Sequence, residues 1–431
     1  MKSLFKKTVT TILTLEAKYL LKRTKPTIIA ITGNLGKTST KDATYAVLGS
    51  TLHARKSVQS YNSEIGVPLT ILGLQSGWND PLSWIKNCFD GLVQAFNPED
   101  YPKFLILEIG VDRPGDMEKL TSWITPDVVV LTHLPDVPSH VEFFDSKTDD
   151  IVAEKVKLIR ALNPEGILVY NQDDTRVAKI AEETLQKGIS FSRYSKSDFT
   201  GSGDEIRYED GTAAGLTFAL EHDGKKVDVE IDGSIGVKHV YSCAAAAAVG
   251  SLYGVSLEDS AKALKSYESP AGRMRLIKGS KETMIIDDTI NASPMATEHA
   301  LRTLKRLTGV HRRIAVLGDM LELGQHSVAA HEKVGKVAAE SVDILLTVGI
   351  RARGIATGAL ESGMSPKRIF QYENIERAAT ELEGMIETGD AVLVKGSQRM
   401  RMERLVEEIM FEPQRAGELL VRQNLEWKNK E

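Results

Sequence analysis

The sequence predicts an α/β protein: a mostly parallel sheet bearing a phosphate-binding loop, with a small antiparallel insert, followed by a second βα unit. Three observations lead there. β-rich apolar runs alternate with helical stretches, the pattern of βαβ units. One such run, IIAIT, passes directly into Gly33-Asn34-Leu35-Gly36-Lys37-Thr38 and then a helical pattern. From about Ile189 to Asp232 the texture changes to polar/apolar alternation broken by Gly-rich turns, as antiparallel hairpins require.

Taken in order, residues 1–25 carry seven basic side chains against one acid, Glu16. The apolar run near Ile12 is broken by threonine and falls short of the ~20 residues of a membrane span, so neither a secretory signal nor a spanning helix is expected. Phe5, Val9, Ile12, Leu13 and Leu20 fall on one side of a helix. That side either packs on the next domain or lies weakly on an anionic membrane surface. A central domain then occupies 26–275, with strands expected at Thr27–Thr32, Phe104–Ile109, Val128–Thr132 and Gly166–Tyr170, then the hairpin insert and the alanine-rich helix SCAAAAAVGSLYG. A third unit, 276–431, starts a new series with Thr283–Asp287, Arg313–Leu317, Ile344–Val348 and Ala391–Val394. The tail GELLVRQNLEWKNKE reads as a terminal helix with a frayed end.

Composition bounds the function. The chain has 431 residues, 42% hydrophobic and 26% charged, which suits two or three domains and excludes disorder. With 54 basic against 59 acidic residues the net charge is -5, so no nucleic-acid partner is expected. Cys88 and Cys243 stand far apart without metal-ligand spacing, which excludes a disulfide framework or zinc site and fits a reducing cytoplasm. A monomer is expected.

The strongest chemical signal is the loop itself. Gly33 and Gly36 allow the tight turn that aims backbone N–H groups of Asn34 to Ser39 at phosphate oxygens, Lys37 neutralises them, and Thr38 is placed to ligate Mg²⁺. Ile31 stands where the first glycine of the longer form of this motif would be. Glu108 closes the strand in FLILEIG at the carboxyl edge of the sheet, where a carboxylate either holds Mg²⁺ or serves as a turn residue. His133 and His140 lie in the loop after the next strand and Lys155 on the following helix; by themselves they read equally as solvated surface groups.

The stretches TGNLGKTSTKD, SYNSEIGVPLTIL, LEIGVDRPGDM, SPAGRM, IIDDTINASPMA, VLGDMLELGQHS with His331, and VLVKGSQRMRME occur in an order that resembles the Mur ligase family from Pro26 onward. The resemblance implies a central ATPase domain, a Rossmann-like C-terminal domain, and amide-bond formation through an acyl phosphate. It implies ATP and two Mg²⁺, held by Thr38, Glu108, His140 and a Lys155 that is carbamylated in many relatives. It further implies Arg273 on the γ-phosphate, Asp288 on the ribose, His239 near adenine, and Asn62, Asn291, Lys395 and Ser397 on the peptide substrates. Those substrates would be a nucleotide-linked peptide and D-alanyl-D-alanine. Three positions depart from the family pattern. No counterpart of its uridine-nucleotide domain precedes Pro26; Lys238, His239 and Ser242 stand where a His and two Asn are usual; and His133 replaces an asparagine. A folylpolyglutamate-like or cyanophycin-like ligase would share the ATP site and differ at the acceptor. An NTP-driven switch would hydrolyse ATP without an amine.

Overall fold

The computed structural model describes residues 2–58 and 60–428, so Asn429–Glu431 of the expected terminal helix lie outside the described residues. Two sheets organise the chain. The first contains β1 (Thr27–Thr32), β2 (Ala54–Lys56), β3 (Phe104–Glu108), β4 (Val128–Leu131), β5 (Ile167–Asn171), β6 (Lys187–Ser192), β7 (Phe199–Glu209), β8 (Thr212–His222) and β9 (Lys225–Asp232), in the order β2-β3-β1-β4-β5-β6-β7-β8-β9. Strands β1 to β6 pair in parallel, and β7 to β9 form an antiparallel meander on the same sheet. The insert is therefore an extension of the central sheet rather than a separate body. Its parallel neighbour β6 overlaps the start of the stretch that the alternation alone assigned to hairpins.

Both faces of the parallel strands are covered, which is why they read as unbroken apolar runs. In β1, Ile29 and Ile31 enter the core beneath the helix α2 (Lys37–Gly49) and the alanine-rich helix Lys238–Leu252, while Ile28 and Ala30 enter the core on the opposite face. The run of alanines brings that helix close to α2, and Gly250 is similarly constrained, since a Cβ there would stand 2.6 Å from Val47.

The opposite face holds the helices α1 (Lys2–Thr24), α3 (Gly66–Leu72) and α4 (Pro81–Phe96). Helix α1 packs through Val9, Leu13, Ala17 and Leu20, at helical spacing, onto α3 and α4. The sequence placed Phe5 and Ile12 on that buried side, but both are exposed. Small Ala17 continues the contact stripe that the larger apolar residues only partly mark.

The second sheet contains β10 (Arg275–Lys278), β11 (Met284–Asp288), β12 (Arg313–Gly318), β13 (Ile344–Val348), β14 (Ile369–Tyr372) and β15 (Ala391–Lys395), ordered β10-β11-β15-β12-β13-β14 and parallel apart from β10. Helices cover both its faces. In each sheet strand order reverses beside the strand that carries the candidate chemistry: β1 lies between β3 and β4, and β15 lies between β11 and β12. Ligands of open α/β sheets gather at such points.

Candidate active site

The loop after β1 folds as its glycines demand. Gly33 has φ 132° and Gly36 φ 83°, both in the range that favours glycine. A Cβ on Gly33 would stand 2.1 Å from Thr132 Oγ1. Asn34 N–H donates to the His133 carbonyl at 2.8 Å, tying the loop to the end of β4. Ser39 is fully buried in the first turn of α2.

Two lysines converge on one carbonyl. Lys37 Nζ donates to Gly33 O at 2.9 Å and Lys155 Nζ to the same oxygen at 3.2 Å. Burial lowers the pKa of Lys37, with Glu108 and Asp112 opposing and Arg273 reinforcing the shift. Lys155, on the helix Thr148–Arg160, is pushed down to about 7, first by burial and next by the charge of Lys37, against the pull of Asp112 and Glu154. Near neutral pH a large share of this amine is unprotonated.

Opposite the lysines lies a carboxylate. Glu108, at the end of β3, accepts from Thr38 Oγ1 at 3.0 Å and Ser60 Oγ at 2.6 Å, both at Oε1. Its Oε2 is buried without a hydrogen-bond partner among the described residues, an arrangement that favours a cation. Among the described residues no cluster of three or more His, Cys, Asp and Glu side chains gathers there. A lone carboxylate beside a Thr hydroxyl suits Mg²⁺, which completes its octahedron with water and substrate phosphates.

Arg273 reaches this centre from the connection between the sheets, donating from Nη2 to Thr38 Oγ1 at 2.7 Å. Its placement depends on Asp287 of β11, which the sequence reading passed over for its neighbour Asp288. Asp287 accepts from Gly272 N at 2.9 Å and from Thr289 Oγ1 at 2.6 Å. Full burial raises its pKa to about 6, with those hydrogen bonds opposing.

Asp288 is the hub of the second sheet's contribution. Lys238 Nζ meets Oδ1 at 2.8 Å and Lys395 Nζ meets Oδ2 at 2.6 Å. Burial opposes its ionisation, but the two ammonium groups prevail and hold its pKa at about 2. Lys395 also donates to Asn291 O at 2.8 Å. Ser397 Oγ accepts from Leu321 N at 2.8 Å, and the Asn62 amide packs against Gly110, whose N–H donates to Asn62 O at 2.9 Å.

Two histidines differ from their sequence reading. His239 is fully buried, its Nδ1 3.1 Å from Tyr267 Oη, and burial pushes its pKa down to about 3. Its Nε2 is buried without a hydrogen-bond partner among the described residues, and Lys238, one residue earlier, carries the charge that meets Asp288. His133 forms a 2.6 Å pair with Asp174 and serves the loop's own architecture. His140 lies between two carboxylates: Nδ1 is 2.5 Å from Glu322 Oε2, and Nε2 is 3.6 Å from Asp112 Oδ1. Glu322 was not legible as a partner, because it comes from the second sheet's loops. His331, in turn, accepts at Nε2 from Met320 N at 3.0 Å, which fixes those same loops.

Comparison with known proteins settles the kinship. Residues 88–250 match the Mur ligase middle domain and residues 272–398 the Mur ligase glutamate ligase domain. A UDP-N-acetylmuramoyl-tripeptide--D-alanyl-D-alanine ligase of Mycobacterium leprae is 30% identical over 414 residues, covering 88% of this chain and 73% of that protein. The chain belongs to the Mur ligase family. The Bacillus subtilis ligase with the same description is 28% identical over 400 residues, covering 92% of this chain and 79% of its own length. The crystal structure of the Mur ligase MurF of Thermotoga maritima in complex with ADP superposes with a TM-score of 0.74 at 24% identity, covering 93% of this chain and 83% of that one. As a Mur ligase, this protein is an ATP-dependent, ADP-forming ligase.

Proposed function

We propose that this Mur ligase joins the carboxylate of a nucleotide-linked peptide to the amine of D-alanyl-D-alanine, in the cytoplasm and as a monomer. The observation that carries the reading is the convergence of Thr38, Glu108 and Arg273 beside the phosphate loop. An arginine delivered from the connection between the sheets ties phosphoryl transfer to the placement of the second sheet, as a ligase that must close before transfer requires. The names of the Mycobacterium leprae and Bacillus subtilis relatives and the DDTINASP and KGSQRMRME segments support the D-alanyl-D-alanine acceptor over a folylpolyglutamate-like one.

A carboxylate is a poor acyl donor because its leaving group would be oxide. Its oxygen first attacks the γ-phosphorus and the β–γ bridge breaks, giving an acyl phosphate and ADP. The amine nitrogen then attacks the carbonyl carbon, loses a proton, and phosphate departs. Lys37 and Arg273 offset charge on the transferring oxygens, a contribution that rests on preorganised electrostatics. Thr38 and the unpartnered oxygen of Glu108 would hold one Mg²⁺, and a carbamylated Lys155 and His140 would contribute to a second. When bound, Mg²⁺ would neutralise charge on the phosphate groups. Lys155 suits that place as a carbamate, formed when its neutral amine adds to CO₂ with loss of a proton; the ammonium would repel a metal. Glu322 on His140 Nδ1 orients Nε2 as a ligand.

The remaining assignments follow from free hydrogen-bonding capacity. Each oxygen of Asp288 keeps a lone pair for a ribose hydroxyl, and Lys395 would reach a substrate carbonyl by giving up its long 3.4 Å contact to the Asp288 carbonyl. Asn62, Asn291 and Ser397 complete the peptide contacts.

The test is phosphate release with ATP and Mg²⁺, offering UDP-N-acetylmuramoyl-tripeptide and D-alanyl-D-alanine separately and together, with mass detection of product. A pentapeptide nucleotide formed only with both supports the reading. Turnover with neither, or with another amine, overturns the substrate assignment and leaves the ATP site standing.

A further inference from the structure

Helix α4 is apolar on both sides. Its inner side packs on the core through partly buried Trp84 and Cys88 beside buried Asn87, Gly91 and Ala95, and a Cβ on Gly91 would stand 2.2 Å from Glu16 Oε2 of α1. Its outer side carries Leu82, Ile85, Phe89, Leu92, Val93 and Phe96, all exposed, Leu82 to 75% and Phe89 to 65%. At about 100° per residue the six fall within one arc of ~100°. Helix α1 continues the patch through exposed Ile12, Leu15 and Tyr19, and the Tyr19 and Phe96 rings lie 5.0 Å apart. Arg23 locks the two helices by donating to Phe96 O at 2.5 Å. Monomeric soluble proteins rarely leave a contiguous apolar face of this kind uncovered.

Charge decides what covers it. Helix α1 holds six basic residues and one acid, buried Glu16, a net +5 within a chain of net -5. Lys18 and Lys22 follow Leu15 by three and seven residues, so they border the apolar stripe. On α4, Lys86 stands one turn from both Leu82 and Phe89 and is paired with Asp90 at 3.6 Å. Two copies joined through this face by a two-fold axis would set the basic rim of one against that of the other. An anionic surface meets both the apolar stripe and its rim. Among the described residues no helix is long and apolar enough to cross a membrane, so the contact is one of lying on the bilayer rather than spanning it.

We propose that the face formed by α1 and α4 docks on an anionic phospholipid bilayer, the α4 stripe entering the acyl boundary and the α1 lysines meeting headgroups. The docking is independent of which peptide is ligated.

Flotation of the full chain with vesicles of phosphatidylcholine, and of phosphatidylcholine containing phosphatidylglycerol, tests it at low and high salt. Retention is expected on the anionic vesicles, reversed by salt. It should fall on the order of tenfold or more both in Ile85→Ser/Phe89→Ser and in Lys7→Glu/Lys22→Glu. Phosphate release should be unchanged in both variants, and thermal melting shows that they fold; if the first melts early, Leu82→Ser/Leu92→Ser removes the same stripe. No retention on anionic vesicles at low salt overturns the proposal, as does equal retention of the apolar variants. A concentration-dependent dimer that Ile85→Ser/Phe89→Ser abolishes gives the face to a second copy and overturns it as well.

Discussion

Replacing Lys155 by methionine is expected to stabilise the metal-free protein while silencing the enzyme. The amine is buried beside Lys37, and its pKa falls from 10.5 to about 7. At ~1.36 kcal/mol per tenfold, that gap sets about 5 kcal/mol against the charged form. Allowing ~1–2 kcal/mol for imperfect repacking of methionine leaves a gain of about 3–4 kcal/mol. Between pH 7 and 10.5 the unfolded chain binds more protons at this lysine than the folded one. Stability of the natural protein at this group therefore rises with pH through that window, and the advantage of methionine shrinks across it and vanishes above. Thermal melts in bicarbonate-free, metal-free buffer measure this. At about 2–4 °C per kcal/mol for a unit of this size, the Lys155→Met protein should melt roughly 6–16 °C higher at pH 6 and within a few degrees of the natural protein at pH 10. Amide formation should fall by about a hundredfold or more. A variant that is less stable at pH 6, or whose difference does not move with pH, refutes the burial argument; a fully active one refutes the carbamate.

Three further outcomes are expected. Glu108→Gln should raise the Mg²⁺ concentration for half-maximal phosphate release by about 10–100-fold, because the unpartnered oxygen is replaced by an amide that carries no charge; an unshifted Mg²⁺ titration places the cation elsewhere. Arg273→Ala should lower kcat by ~10²–10³ with a smaller change in the KM for ATP, and Arg273→Lys should recover only part of it, since a point charge does not reproduce the planar fork. Gly33→Ala should lose ATP affinity measured calorimetrically, because its Cβ would meet Thr132 Oγ1 at 2.1 Å and its φ of 132° strains any side chain; unchanged affinity means that the loop can shift without harm.

The phosphate loop, Glu108 and the alternating βα texture were legible because each is local: a strand, a turn needing glycine, a helix start. The motif order extended this to Arg273, Asp288 and Lys395. What the sequence hid was long-range. Asp287 and Asp288 are adjacent and chemically identical, yet one faces Gly272 and anchors the connection, while the other faces two lysines. Only the pleat of β11 tells them apart. Glu322 pairs with His140 across 182 residues of chain, a distance no local pattern carries. The full burial of His239 and its contact with Tyr267 Oη, 28 residues away, were equally hidden. Helix α1 was foreseen with Val9, Leu13 and Leu20 of its buried stripe, but Ala17, which contributes contact without hydrophobic bulk, was missed and exposed Phe5 and Ile12 were included.

The anchoring of Arg273 bears on how this enzyme is recombined with its relatives. The residue belongs by chemistry to the first sheet, where it touches Thr38, and by attachment to the second, where Asp287 fixes Gly272. A chimera cut between them, near the apparent boundary at residue 275, would take the arginine from one parent and its anchor from the other. Cuts placed before Ser269 keep both from a single parent, and hybrids made there should retain nucleotide-dependent turnover that hybrids cut between Arg273 and Asp287 lose.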